Sequence, residues 1–289
     1  MSVKDILLHL RFPFSFFLMP IFWLALSQQN EGDWWLNLLI FVILHLLVYP
    51  ASNAYNSYFD KDETSIGGLK NPPKVDRSLW KTANYFDALA ILFSFFLVNR
   101  FFGILVILYI FVSRMYSWPG VRLKKYAFLS WAIVGLFQGA LVYIMVYLGG
   151  QNLNWENLPT FFDSTNGSAY LGALMSSTIL WAIYPITQVY QHDSDKKNGD
   201  ITASIKLGIY GTFLAASLFF SISLGIAFLF LPFNFFLRFL FFSLPISIFL
   251  GLWILKIRKN KNEVNFKNTM ILNTLSSILL NLCFASFYF

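Results

Sequence analysis

The chain has 289 residues, of which 57% are hydrophobic and only 12% charged, with a formal net charge of +7 and a mean hydropathy of +0.60. Soluble globular chains carry about 25% charged residues, so this composition excludes a soluble globular protein and leaves an all-α polytopic membrane protein. The positive balance reads as membrane topology rather than affinity for nucleic acid, and the single cysteine, Cys283, excludes an intramolecular disulfide framework and a cysteine-rich metal site.

A membrane span takes about 20 mainly apolar residues. That rule predicts nine spans, at roughly 10–28, 35–55, 83–99, 101–117, 127–148, 169–190, 209–231, 234–256 and 269–289. The first thirty residues lack a small-residue cleavage site and further apolar runs follow, so they read as an uncleaved span. Arg11 opens that span, where it either reaches a polar cavity or snorkels to the headgroups. His9 and His45 have no partner motif and read as packing or interfacial residues.

The second span runs into Asn53-Ala-Tyr-Asn56-Ser-Tyr-Phe-Asp60-Lys-Asp62-Glu63-Thr64, the densest cluster of acids in the chain. Asn53, Asn56, Asp60 and Glu63 or Thr64 recur at spacings of three and four, which places them on one helix face. In the segment that follows, Gly67-Gly68 is a candidate hinge on which Lys70 and Lys74 close over a site, with Pro72-Pro73 limiting the loop. Spans three and four form a tight hairpin around Asn99-Arg100. The sixth span leads into a second polar string, Gln188-Val-Tyr-Gln191-His192-Asp193-Ser-Asp195-Lys-Lys-Asn-Gly199-Asp200. There Gln188, Gln191 or His192, Asp195 and Gly199 repeat the helical spacing. No internal repeat or soluble domain stands out, so residues 1–289 read as a single transmembrane domain.

The basic residues test this topology. Of the 21 Lys and Arg residues, only Arg100 and Arg238 fall on the side opposite the others. The opposite segments are short or acidic, and the longest, Gln151 to Ser168, has no basic residue. The positive-inside rule then puts the N-terminus and both polar strings in the cytoplasm and the C-terminus outside; a bacterial inner membrane is the expected location. Trp34, Trp35 and Trp155 fit the outer interfacial belt, Trp80 and Trp118 the inner one.

Carboxylate and amide oxygens suit a hard cation such as Mg2+, which keeps several waters and binds substrate phosphate oxygens. Asp60, Asp62, Glu63, Asp193 and Asp195 are the candidate metal ligands, since such a cluster repels itself unless cations neutralise it. Lys61, Lys70, Lys74, Arg122, Lys124, Lys196 and Lys197 are placed to contact an anionic group. The two strings are therefore expected to face each other as one metal-dependent site at the cytoplasmic membrane surface.

These motifs resemble those of the UbiA superfamily of intramembrane prenyltransferases, and the resemblance runs over most of the chain. The family's Asn-x-x-x-Asp-x-x-x-Asp motif is matched by Asn56 and Asp60, with Thr64 at the last position. Its Asp-x-x-x-Asp-x-x-x-Gly-x-x-Thr motif is matched by Asp195, Gly199 and Thr202, with Gln191 at the first position. Tyr116-Ser117-Trp-Pro119-Gly-Val-Arg122-Leu123-Lys124 is similar to the family's segment after its fourth helix. Ser57 also stands where the family often has Asp; Asp62, Glu63 and Asp193 lie near enough to restore ligands from shifted positions.

The resemblance implies a nine-helix bundle with a cytoplasmic-side polar cavity. It also implies Mg2+-dependent transfer of a polyprenyl group from a prenyl diphosphate to an aromatic or other small acceptor, with the prenyl tail among membrane lipids. Asn56, Asp60, Gln191 and Asp195 are then the catalytic metal-site residues, and Arg122 and Lys124 the diphosphate contacts. Asn53 and Gln188 are placed to orient an acceptor or a metal-bound water. Arg11, Lys70 and Tyr116 complete the expected substrate contacts, and His192 is either an acid–base group or a helix-end polar residue. Tyr55, Tyr58, Tyr116, Tyr184 and Tyr190 are candidates to shield a cationic intermediate. The competing readings are a non-catalytic lipid-binding protein of the same fold and a transporter. A transporter would place its sites near the bilayer midplane, where Gln138 and Asn273 are the polar residues to consider.

Overall fold

The structure, a computed structural model, describes residues 1–29, 32–151 and 167–289. Trp155, Glu31 and nearly all of the basic-free segment from Gln151 to Ser168 lie outside the described residues. Among the described residues the protein is all-α apart from a two-residue strand at Ile201–Thr202. In chain order, α1 is Val3–Leu10 and α2 is Met19–Leu26, joined by a 3-10 turn at Phe12–Phe17. They are followed by α3 (Trp34–Asp60), α4 (Arg77–Val98), α5 (Arg100–Ser117) and α6 (Ala127–Gly149). Next come α7 (Gly167–Thr187), the short α8 (His192–Lys197), α9 (Ala203–Phe230), α10 (Phe233–Lys259) and α11 (Phe266–Tyr288).

Among the described residues, eight helices are long and apolar enough to cross a membrane. The count reaches nine when Val3–Phe17 and Met19–Leu26, bent by 45°, are taken as one broken span. The bend has a local cause. Arg11 takes a left-handed conformation at φ 49°, which ends α1, and Pro13 and Pro20 occupy first-turn positions of the two segments that follow, where a missing N–H costs nothing.

Several boundaries differ from the hydropathy reading. Helix α3 continues past residue 55 to Asp60, so the first half of the acidic string forms the last turns of a span, and α4 starts at Arg77 rather than 83. Helix α7 stops at Thr187, so Gln188 lies in a turn and the helical period assumed across the second string is broken there. Pro185 lacks an N–H, and beyond it the backbone tightens: Gln188 N–H donates to Pro185 O at 3.2 Å and Val189 N–H to Ile186 O at 3.3 Å. Helix α9 starts at Ala203, but Gly208 sits at φ 66°, ψ 175°, a conformation essentially confined to glycine. The continuous apolar helix therefore begins at 209, where hydropathy puts the span.

The chain forms two compact units, residues 1–123 with 141–170 and residues 124–140 with 171–289. In the first, the end of α3 packs against α4, α1 and α5, and α2 packs against the end of α6. Its core includes Leu10, Ala54, Tyr55, Leu79 and Ala83. Ala51, Ala54, Ala83 and Ala90 are fully buried; such small residues let transmembrane helix backbones approach closely where there is no hydrophobic driving force between helices. Away from the acidic string, Gln29 and Asn37 join side chain to side chain at 3.0 Å, and Gln29 donates to Val146 O at 2.8 Å.

In the second unit, α9, α10 and α11 pack in sequence, and the start of α6 packs on α9. Trp131 and Trp181 exchange hydrogen bonds, each indole N–H donating to the other's carbonyl at 3.0 and 3.1 Å. Gly139 lets α6 and α7 meet backbone to backbone, since a Cβ there would lie 2.7 Å from Ser177 Cα and N.

Candidate functional site

Within the first unit, the last two turns of α3 carry Asn53, Asn56 and Asp60 at helical spacing. The helix ends at Asp60 because Lys61 is left-handed, at φ 52°. Asp62, Glu63 and Thr64 therefore leave the helix face, and Glu63 and Thr64 are exposed. The Asn56 side-chain oxygen accepts a hydrogen bond from Ser117 Oγ at 2.6 Å. The Asp60 side chain, only 4% exposed, faces Arg122 Nη1 at 3.8 Å. Arg122 is itself left-handed, at φ 47°, in a turn where Val121 N–H and Arg122 N–H both donate to Trp118 O. Tyr116 lies in the last turn of α5, before that turn.

Arg11 is buried and turns inward to backbone carbonyls, donating to Gly67 O at 3.0 Å and Asn53 O at 3.3 Å. Asn53 in turn donates to Leu10 O at 3.3 Å. The Gly67-Gly68 pair forms the tip of a tight turn closed by Ile66 and Leu69. Arg11 ties that turn down, and His9 Nε2 meets Pro73 O at 2.8 Å further along the same segment. Lys70 and Lys74 are exposed on it.

Within the second unit, Gln188 is buried, and its side-chain oxygen finds no hydrogen-bond partner among the described residues. Gln191 stands at the N-terminal boundary of α8 without a side-chain cap bond, and its carbonyl accepts from Asp195 N–H at 2.8 Å. Asp193 is exposed and Asp195 half-buried. Gly199 takes φ 75° to turn the chain out of α8, and Thr202 Oγ1 caps α9 by accepting from Ile205 N–H at 3.4 Å. Gly199 and Thr202 of the second motif thus have local structural roles.

Buried Asp200 lies 3.3 Å from Lys124 Nζ. Arg122 thus meets an acid within the first unit, and Lys124 an acid within the second. His192 Nε2 meets Ser204 Oγ at 2.7 Å. Burial pushes the imidazole below its usual range, the Lys196 charge adds to this, and Asp193 opposes it, so the ring is neutral at pH 7.

Sequence reasoning missed two acids. Asp200 was only the end of a polar string. Asp87 sits halfway along α4, buried and ion-paired with Arg114 of α5. The signal for Asp87 was present, because an ionisable residue in the middle of a span is costly and marks a function by default.

Among the described residues, no three His, Cys, Asp or Glu side chains gather around one point that would hold a metal ion. The donor chemistry nevertheless fits Mg2+. The cation commonly takes one or two protein carboxylates and completes its shell with water and substrate phosphate. Each motif keeps a carboxylate and an amide, Asp60 with Asn56 and Asp195 with Gln191, and the Asn56 oxygen has a second lone pair beyond the one Ser117 engages.

The family model described as UbiA prenyltransferase family matches residues 17–275. The fold is similar to that of a UbiA homolog from Archaeoglobus fulgidus bound to DMAPP and Mg2+, at 16% identity and TM-score 0.67, over 98% of this chain and 99% of that one. It is also similar to an apo UbiA homolog from Aeropyrum pernix K1, at 14% identity and TM-score 0.66, over 93% and 96%. A structure of digeranylgeranylglyceryl phosphate synthase matches at 18% identity and TM-score 0.60, over 99% and 97%. No curated protein matches the chain.

Proposed function

The chain belongs to the UbiA prenyltransferase family, and on that premise we propose that it transfers a polyprenyl group from a prenyl diphosphate to an aromatic or other small acceptor, with Mg2+ as cofactor. The observation that carries this reading is the pairing of both motif donors in the first unit: Asn56 is held by Ser117 and Asp60 by Arg122. The Archaeoglobus fulgidus homolog was solved bound to DMAPP and Mg2+, a prenyl diphosphate and the cation of this proposal.

In this reading Asn56, Asp60, Gln191 and Asp195 are the metal ligands, with Asp62, Glu63 and Asp193 around them. Bound Mg2+ supplies positive charge to the diphosphate oxygens, the main stabilisation such a leaving group needs. Arg122 and Lys124 exchange their acids for diphosphate oxygens, and Lys70, Tyr116 and Arg11 support substrate binding around them. The bond from the allylic carbon to the diphosphate oxygen breaks, and its electron pair leaves with diphosphate. The acceptor then forms a bond to that carbon and gives up a proton, for which neutral His192 is the base; Asn53 and Gln188 orient the acceptor. The whole chain acts as one multi-pass transmembrane domain, with the motif-bearing loops cytoplasmic in a bacterial inner membrane.

The test is incubation of purified protein with labelled prenyl diphosphates of several lengths and a panel of acceptors, with Mg2+ or with EDTA. Diphosphate release only with Mg2+, lost in Asp60→Ala and Asp195→Ala, supports the proposal. Absence of both binding and turnover across that panel would sink it and favour a non-catalytic lipid-binding protein.

A further inference from the structure

Three contacts join α5 to the motif-bearing end of α3. Ser113 Oγ meets Ser52 Oγ at 2.6 Å, the Arg114 guanidinium stacks on the Tyr55 ring at 3.7 Å, and Ser117 Oγ donates to Asn56 at 2.6 Å. They follow one another along both helices, as the rungs of a fixed register would. The middle rung is unlike the other two. Arg114 also donates to Asp87 Oδ2 and, at 3.2 Å, to Ala83 O of α4, so one side chain ties together three helices. Its side chain is 12% exposed and that of Asp87 11%.

Burying two charges within membrane-spanning helices is costly, and well-packed apolar side chains would join these helices at least as firmly. What a forked cation held by one carboxylate adds is a single allowed rotation and register. Tyr55, which receives the stack, immediately precedes Asn56.

We infer that Arg114, anchored by Asp87, is a positioning residue that acts through Tyr55 to hold Asn56 and Asp60 in register. Its consequence for metal binding rests on the prenyltransferase reading, but the positioning itself does not. Loss of a partner that orients a metal ligand typically weakens metal binding about 10–100-fold.

The test compares Asp87→Asn, Arg114→Lys, Tyr55→Leu and Tyr55→Phe with the wild type in detergent. Peptide-resolved hydrogen exchange is followed over 53–60 and over α9 as an internal reference, together with thermal stability and the Mg2+ concentration for half-maximal binding of a prenyl thiodiphosphate. We expect faster exchange in 53–60 with α9 unchanged, and a 10–100-fold rise in the Mg2+ constant, for the first three variants. Tyr55→Phe keeps the ring and should keep the protection. Tyr55→Leu leaves the Arg114–Asp87 pair whole, so it reports even if the charge variants do not fold. Unchanged exchange in 53–60, or a uniform loss of protection that follows thermal stability, overturns the inference. If the wild type binds no prenyl thiodiphosphate with Mg2+, the prenyltransferase reading fails, and the exchange data alone decide the positioning.

Discussion

The Arg122–Asp60 pair makes the sharpest prediction, because the same carboxylate is assigned a second cation. At 3.8 Å and an effective dielectric constant near 20, two unit charges attract by about 4 kcal/mol. Arg122 is 19% exposed and the pair lacks hydrogen-bond distance, so water screens part of that attraction. We expect a coupling of about 2 kcal/mol from a double-mutant cycle of Asp60→Asn and Arg122→Gln. The assay is unfolding in mixed dodecylmaltoside–SDS micelles with EDTA present. The cycle is then repeated with saturating Mg2+ and a prenyl thiodiphosphate. If Asp60 exchanges Arg122 for metal and Arg122 exchanges Asp60 for diphosphate, the coupling should fall below about 0.5 kcal/mol, the ordinary scatter of additivity. A cycle that is additive without ligand refutes the ion pair. One whose coupling persists with ligand refutes the exchange and with it the assignment of Asp60 as a metal ligand.

Four further outcomes follow from single contacts. Ser117→Ala removes the donor to Asn56 and should raise the Mg2+ requirement about 10–100-fold, read from the Mg2+ dependence of diphosphate release, with little change in thermal stability. Gly139→Val drives a side chain into the Ser177 backbone and should cost about 1–3 kcal/mol, measured by unfolding in the same micelles. The depressed titration of His192 means that below pH 6.5 the unfolded chain takes up a proton that the folded chain resists. Its contribution to stability is complete above pH 6.5 and declines as pH falls; His192→Gln should flatten that decline, and NMR of labelled histidine should show the low titration directly. Gln191→Asp returns a carboxylate to the second motif at a position that also caps α8, where Asp is favoured; a several-fold lower Mg2+ constant without loss of thermal stability is expected.

Hydropathy located the spans but not their ends, for a physical reason. It measures transfer into hydrocarbon, whereas a helix continues as long as its backbone bonds close, and α3 runs on through Asn53, Asn56 and Asp60 to a left-handed Lys61. The converse error occurred at Gln188 to Gln191. A helical period was legible there, but Pro185 and the following turns interrupt the helix that would express it. Partners were the least legible feature. Arg114 entered the charge count as a mark of topology, and 27 residues separate it from Asp87. Nothing in a linear pattern selects that acid over another, although a lone carboxylate at mid-span was reason to look for a partner.

The substitutions in the first motif also read differently once the helix end is placed. Ser57 is 2% exposed and stands three residues before Asp60 in continuous helix, a neighbouring position, so a carboxylate there would lie beside the Asp60 side chain, itself only 4% exposed. Thr64 lies beyond the left-handed Lys61, off the face on which a third helical ligand would have to stand. Of the two, only Thr64 is removed from the face that bears Asn56 and Asp60. The functional question therefore narrows from three lost acids to two: Ser57 beside Asp60, and Gln191, which begins α8 one turn before Asp195 and offers an amide oxygen where the family has a carboxylate. An amide oxygen remains a hard donor but contributes no charge, so the expected consequence is weaker cation binding, not a different chemistry.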